Sequence, residues 1–81
     1  MKIEFSYQRN GEVKTCSFKT PLRLDGKDKQ YRERFVVRMM MNYIYDQEIE
    51  REDWVEGYMY DEDTCIGEIN YTGNFIEKGD K

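Results

Sequence analysis

Eighty-one residues leave room for one domain and one core, and the 38% of apolar residues recur periodically, which excludes a purely disordered tail despite a charged fraction of 37%. Histidine is absent, which removes the commonest general base, the usual zinc ligand and the Ser-His and Cys-His nucleophile pairs. No stretch approaches the roughly 20 apolar residues of a membrane-spanning helix.

The first element is a hairpin over residues 2–19. Ile3, Phe5 and Tyr7 alternate with Glu4, Ser6 and Gln8, the period of a half-buried strand. Asn10-Gly11 is the strongest two-residue type I′ turn signal, and it fixes the register. Arg9 then faces Glu12, Tyr7 faces Lys14, Phe5 faces Cys16 and Ile3 faces Phe18. This places Ile3, Phe5, Tyr7, Cys16 and Phe18 on one face, with Glu4, Ser6, Thr15 and Ser17 on the other. Residues 20–28 read as a loop, with Pro21 and the turn dipeptide Asp25-Gly26.

Asp28 is the expected N-cap of a helix over 29–47, a segment free of Gly and Pro. At 100° per residue Val36, Val37, Met40, Tyr43 and Ile44 share one arc, expected to face the sheet. The opposite arc mixes Arg34, Arg38 and Asn42 with Tyr31, Met41 and Tyr45, so a second covering, by the C-terminal segment or by a partner, is expected. Trp54, Val55, Tyr58 and Met59 fit helical spacing, but Gly57 and the aromatic enrichment favour the alternative, so residues 54–71 read as a second strand pair. Trp54, Tyr58 and Tyr60 lie on one side of its first strand, and Cys65, Ile69 and Tyr71 on one side of its second, with Asp61-Glu62-Asp63 as the turn. Thr72-Gly73-Asn74 breaks the strand, and 77–81 reads as a frayed tail. The expected architecture is α+β: a small antiparallel sheet in ββαββ order with one long amphipathic helix packed across one face, the whole forming a single domain 1–81.

Catalytic signatures are missing. No P-loop, Gly-x-Gly-x-x-Gly or Gly-x-Ser-x-Gly occurs, and a chain this short has little material for the deep cleft that a two-carboxylate enzyme requires. Counted from Asp46 as an EF-hand loop, the acidic cluster places Arg51 where Gly belongs and Gly57 where a bidentate Glu belongs. The expectation is no catalytic residue, no metal and no cofactor, with a carboxylate enzyme as the weakest alternative. Cys16 and Cys65 belong to no C-x-x-C pair, and Met1-Lys2-Ile3-Glu4 does not open a secretion signal; free thiols and a cytoplasmic location are expected.

Charge carries the main functional clue. Residues 1–45 hold ten Lys/Arg against five Asp/Glu, whereas residues 46–81 hold three against twelve. Such an asymmetry points to an interaction surface. In the acidic half, Glu50, Glu52, Asp53, Glu56, Asp61, Glu62 and Asp63 interleave with Trp54, Tyr58 and Tyr60. Carboxylates in this pattern stand in for phosphates, and the rings supply the central contacts of an interface with a basic protein surface. The alternative is nucleic-acid binding by the stripe Arg23, Lys27, Lys29, Tyr31, Arg32, Arg34 and Arg38, opposed by the acidic half unless that half faces away. Self-association through Tyr31, Met41 and Tyr45 is a further expectation.

In size, acidity and tyrosine content the chain resembles the small early proteins of bacteriophages and mobile elements, some of which inhibit host nucleases as nucleic-acid mimics. The resemblance covers composition and no residue pattern. It serves only to order the readings, and places first the one that the charge and rings of residues 46–81 motivate: a non-enzymatic protein-binding module, of inhibitor type, whose acidic and aromatic C-terminal half docks on a basic, nucleic-acid-binding surface of a partner protein.

Overall fold

A computed structural model describes residues 1–78 of the chain. Five strands, β1 (Lys2–Arg9), β2 (Glu12–Lys19), β3 (Trp54–Asp61), β4 (Thr64–Ile69) and β5 (Phe75–Glu77), form one antiparallel sheet in the order β2-β1-β3-β4-β5. One helix, α1 (Lys29–Asp46), lies between β2 and β3 in sequence. The fold is therefore α+β, with one strand more than the ββαββ order anticipates.

The hairpin register is the one Asn10-Gly11 dictates, with Arg9 opposite Glu12, Phe5 opposite Cys16 and Ile3 opposite Phe18. Asn10 and Gly11 hold φ at +56° and +79°, the pair of left-handed conformations that a type I′ turn requires. Ile3, Phe5 and Tyr7 are buried, whereas Thr15 and Ser17 are exposed.

The helix starts at its expected cap: the Asp28 carboxylate accepts from the Tyr31 backbone N–H at 3.0 Å. It ends one residue early, at Asp46, in a Schellman motif. Ile49 N–H donates to the Ile44 carbonyl and Glu48 N–H to the Tyr45 carbonyl, while Ile44 and Ile49 both enter the core. Val36, Met40 and Ile44 are buried in one cluster with Ile3, Phe5, Tyr7, Met59 and Ile69, and Val37 and Tyr43 pack beside it. Phe5 is the hub. Its ring stacks on Trp54 at 5.5 Å, meets Tyr43 edge-on at 5.8 Å and lies 6.0 Å from Phe18.

The C-terminal half departs from the 54–71 strand pair in three ways, each with a local cause. Opposite Ser6–Tyr7, β3 carries a bulge at Val55, so that Trp54 pairs with Tyr7 and turns inward while Glu56 pairs with Ser6. A second irregularity pairs Met59 with Gly67 but Tyr60 with Cys65, which removes Cys65 from the side occupied by Ile69. Tyr71 lies beyond β4, which ends at Ile69, and its hydroxyl donates to the Ile49 carbonyl at 2.6 Å. Asn70–Asn74 then forms a turn, closed by hydrogen bonds to the Asn70 side chain, that returns the chain as β5. Glu77 is thus the last residue of a strand rather than the start of a tail; residues 79–81 of that tail lie outside the described residues. No helix among the described residues is long and apolar enough to cross a membrane.

Candidate docking surface

Residues with the parity of Ile3, Phe5 and Met59 hold the core; those of opposite parity form the sheet's second face. There Tyr58 occupies the centre. It pairs with Glu4 on β1 and with Glu68 on β4, and its hydroxyl donates to the Glu56 carboxylate two residues back at 3.0 Å. Strand spacing puts Glu4 and Glu68 about 5 Å to either side of the Tyr58 backbone, and Glu56 about 7 Å along it. Three carboxylates on three strand positions thus surround one phenol. The hydrogen bond to Glu56, then the negative charge of Glu56, then lost hydration and the charge of Glu68 raise the Tyr58 ionisation above the usual phenol range.

Tyr60 extends the surface by one pleat. It pairs with Lys2, whose Nζ sits 5.0 Å from the ring centroid, and with Cys65 on the other side. The Tyr60 phenol is also raised, first by partial burial and then by Cys65, Glu4 and Glu56. Val55 and Ile76, both exposed, add apolar area towards β5.

The ten acidic and aromatic positions of the C-terminal half do not form one surface. Glu56, Tyr58 and Tyr60 lie together along β3 on this second face. Glu62 and Asp63 form the exposed β3–β4 turn at one end of the strand, where Glu62 takes a φ of +58°. Glu50 and Glu52 lie at the other end, about 25 Å away along eight strand residues. Glu50, Glu52, Glu56, Glu62 and Asp63 form no ion pair among the described residues.

The remaining three have structural partners. Trp54 is part of the core, stacked on Phe5 and edge-on to Tyr71 at 6.2 Å, so it offers no docking ring. The Asp53 carboxylate accepts from the Glu50 backbone N–H and closes a capping box around the 3₁₀ turn Arg51–Asp53. Asp61 lies 3.9 Å from the Arg32 guanidinium. Glu4, placed by the sequence only on the polar face of the hairpin, and Glu68 join this surface only because β1 and β4 flank β3.

The basic stripe is divided as well. Lys29 lies between Glu33 at 3.9 Å and Glu77 at 3.4 Å. Arg32 meets Asp61 and donates through Nε to the Lys27 carbonyl at 3.1 Å. Lys27 Nζ lies 5.7 Å from the Tyr31 ring. Arg34 and Arg38 are exposed on the outer arc of α1 and Arg23 in the loop, so the stripe is interrupted by carboxylates where continuous backbone contact requires positive charge.

Comparison with family models, with curated proteins and with solved structures finds no match.

Proposed function

We propose that the chain is a non-enzymatic, cytoplasmic protein-binding module, and that its docking surface is the sheet face centred on Tyr58. The reading takes α1 as packed across the opposite face, supported by the cluster that Val36, Met40 and Ile44 share with Ile3, Phe5 and Met59. Antiparallel sheets with one covered face ordinarily alternate apolar and polar residues, and isolated polar side chains there need no function. What favours a function is the composition of the centre, an accessible phenol ringed by Glu4, Glu56 and Glu68, with acidic turns at both ends of the same strand.

The partner this chemistry fits is a protein with a basic surface of the kind that binds nucleic acid. Clustered carboxylates take the place of phosphates in steering and register, and the tyrosines supply the anchoring contact at the centre. On this reading the chain inhibits by occupying a nucleic-acid-binding groove, as the compositional resemblance to phage and mobile-element proteins suggests. The absence of histidine from the sequence supports binding rather than catalysis.

The test is affinity capture from cells of the native source, comparing the native chain with Glu56→Lys/Glu68→Lys. Both positions are exposed, so the double variant keeps the fold. The expected result is capture of a nucleic-acid-binding protein by the native chain, displaced by competing duplex DNA and lost in the variant. Equal capture by both chains, or capture indifferent to DNA, overturns the reading.

A further inference from the structure

The second charged feature of the molecule lies on α1, away from the sheet. A groove runs between the helix and the Asn70–Asn74 turn in two halves that share Met41. One half, of about 570 Å³, is lined by Ile44, Tyr45, Glu48, Glu50 and Tyr71; the other, of about 450 Å³, by Arg34, Val37, Arg38 and Phe75. Its walls are apolar, its first half is acidic and its second is basic. The turn forms one wall, because a Cβ added to Gly73 would come within 3.1 Å of Met41 Sδ. Tyr45, in the wall of the first half, is 84% exposed, and Tyr31, farther back along α1, is 49% exposed with Lys27 Nζ 5.7 Å from its ring.

The spacing about Met41 is symmetric. Arg34 precedes it by seven residues and Glu48 follows it by seven; Val37 precedes it by four and Tyr45 follows it by four. A twofold axis through Met41 running across α1 therefore exchanges the basic half with the acidic half and the Val37 side of the groove with the Tyr45 ring. Arg34 and Asp46, the last residue of α1, are about 18 Å apart at 1.5 Å rise per residue, and Glu48 lies two residues beyond that end, so Arg34 and Glu48 do not meet in the monomer. Glu33, the carboxylate in the basic half, is already engaged by Lys29.

We infer that the chain forms a twofold dimer through antiparallel packing of α1 on α1 of a second copy, with Arg34 of each protomer against Glu48 of the other and each Tyr45 seated in the partner's groove half formed by Val37, Met41 and Phe75. Closed homodimers bury one self-complementary patch, and this groove is self-complementary in charge and in shape: an exposed ring at plus four, a recess at minus four. Antiparallel helices also place the negative end of each dipole beside the positive end of its neighbour. Arg38, three residues before the axis, borders the recess that receives the phenol, a position for a cation–π contact. Tyr58 with Glu4, Glu56 and Glu68 lies on the far side of the sheet and stays accessible, so the dimer stands or falls independently of that cluster, although Glu50 at the end of β3 lines the groove.

Sedimentation velocity of the purified chain, from about 1 to 500 μM, tests the inference. The native chain is expected to double in mass with rising concentration and to dissociate at high salt, where the paired charges are screened. Arg34→Glu alone and Glu48→Arg alone each set like charges together twice per dimer and are expected to weaken association about tenfold or more. An equimolar mixture of the two variants restores both opposite-charge pairs and is expected to dimerise like the native chain. Both residues are exposed, and helix content by circular dichroism verifies folding of each variant. A native chain that stays monomeric throughout, an Arg34→Glu chain that associates normally, or a mixture no better than its components overturns the dimer and leaves the groove to a different molecule.

Discussion

Glu48 holds φ at +53°, at the position after a helix that glycine usually fills. A side chain there costs about 1 kcal/mol relative to glycine. Glu48→Gly is therefore expected to raise the monomer's thermal midpoint by about 4–8 °C, measured at low concentration, while weakening the dimer through loss of the Arg34 partner. An unchanged or lower midpoint would mean that the Glu48 side chain stabilises the monomer locally. Tyr43 carries a second residue-scale consequence. Its hydroxyl lies 2.8 Å from that of Tyr7, and the neighbouring Cys16 thiol and Tyr7 hydroxyl, with burial, raise its ionisation above the usual phenol range. A phenol raised in the folded state contributes stability that is intact below about pH 10, the unfolded value, and lost as pH climbs through the folded one. Urea midpoints of the native chain should fall above about pH 10, and those of Tyr43→Phe should fall less steeply; parallel curves would remove Tyr43 as the cause.

Two glycines separate conformational from steric demands at the level of elements. At Gly11, φ is +79° and an added Cβ meets nothing within 4 Å, so Gly11→Ala should cost about 1 kcal/mol from backbone conformation alone. At Gly57 on β3 an added Cβ would come within 2.7 Å of the Trp54 ring, 2.8 Å of Ile69 Cγ2 and 2.9 Å of the Ile69 carbonyl. Gly57→Ala should cost more, about 1–3 kcal/mol, and chemical denaturation of both variants should rank them in that order. The same contrast explains what was legible in the sequence. Asn10-Gly11 announces its turn through the residues that its backbone demands, and the alternation of β1 and β2 agrees with it, so the register could be read residue by residue. The Asp28 cap and the apolar arc of Val36, Met40 and Ile44 were legible for the same reason. The bulge at Val55 has no residue signature, because any side chain adopts it; a strict period of two therefore placed Trp54 beside Tyr58 when it packs on Phe5. Strand β5, three residues long, is too short to show a period at all.

Across the whole molecule, the split of charge along the chain becomes a split between surfaces only in part. Some of it closes internally, in Arg32 with Asp61 and Lys29 with Glu77, where the basic start of α1 approaches the acidic ends of β3 and β5. The rest divides between the two sides of the molecule. Glu4, Glu56 and Glu68 surround Tyr58 on the sheet, while the helix groove is divided by sign, with Arg34 and Arg38 in one half and Glu48 and Glu50 in the other. Sequence counting could register the excess of carboxylates but not their grouping, because Glu4 joins Glu68 only through a sheet order that places β3 between β1 and β4. A dimer through α1 would present two such faces outward, and two linked docking events strengthen capture without any new contact.

The most direct test of the docking account is the dissociation constant of the captured partner as a function of salt, for the native chain and for Glu56→Lys/Glu68→Lys. The account predicts binding that weakens steeply with salt in the native chain, and a variant at least about a hundredfold weaker with a shallower salt slope. Equal affinity and equal slope would contradict it.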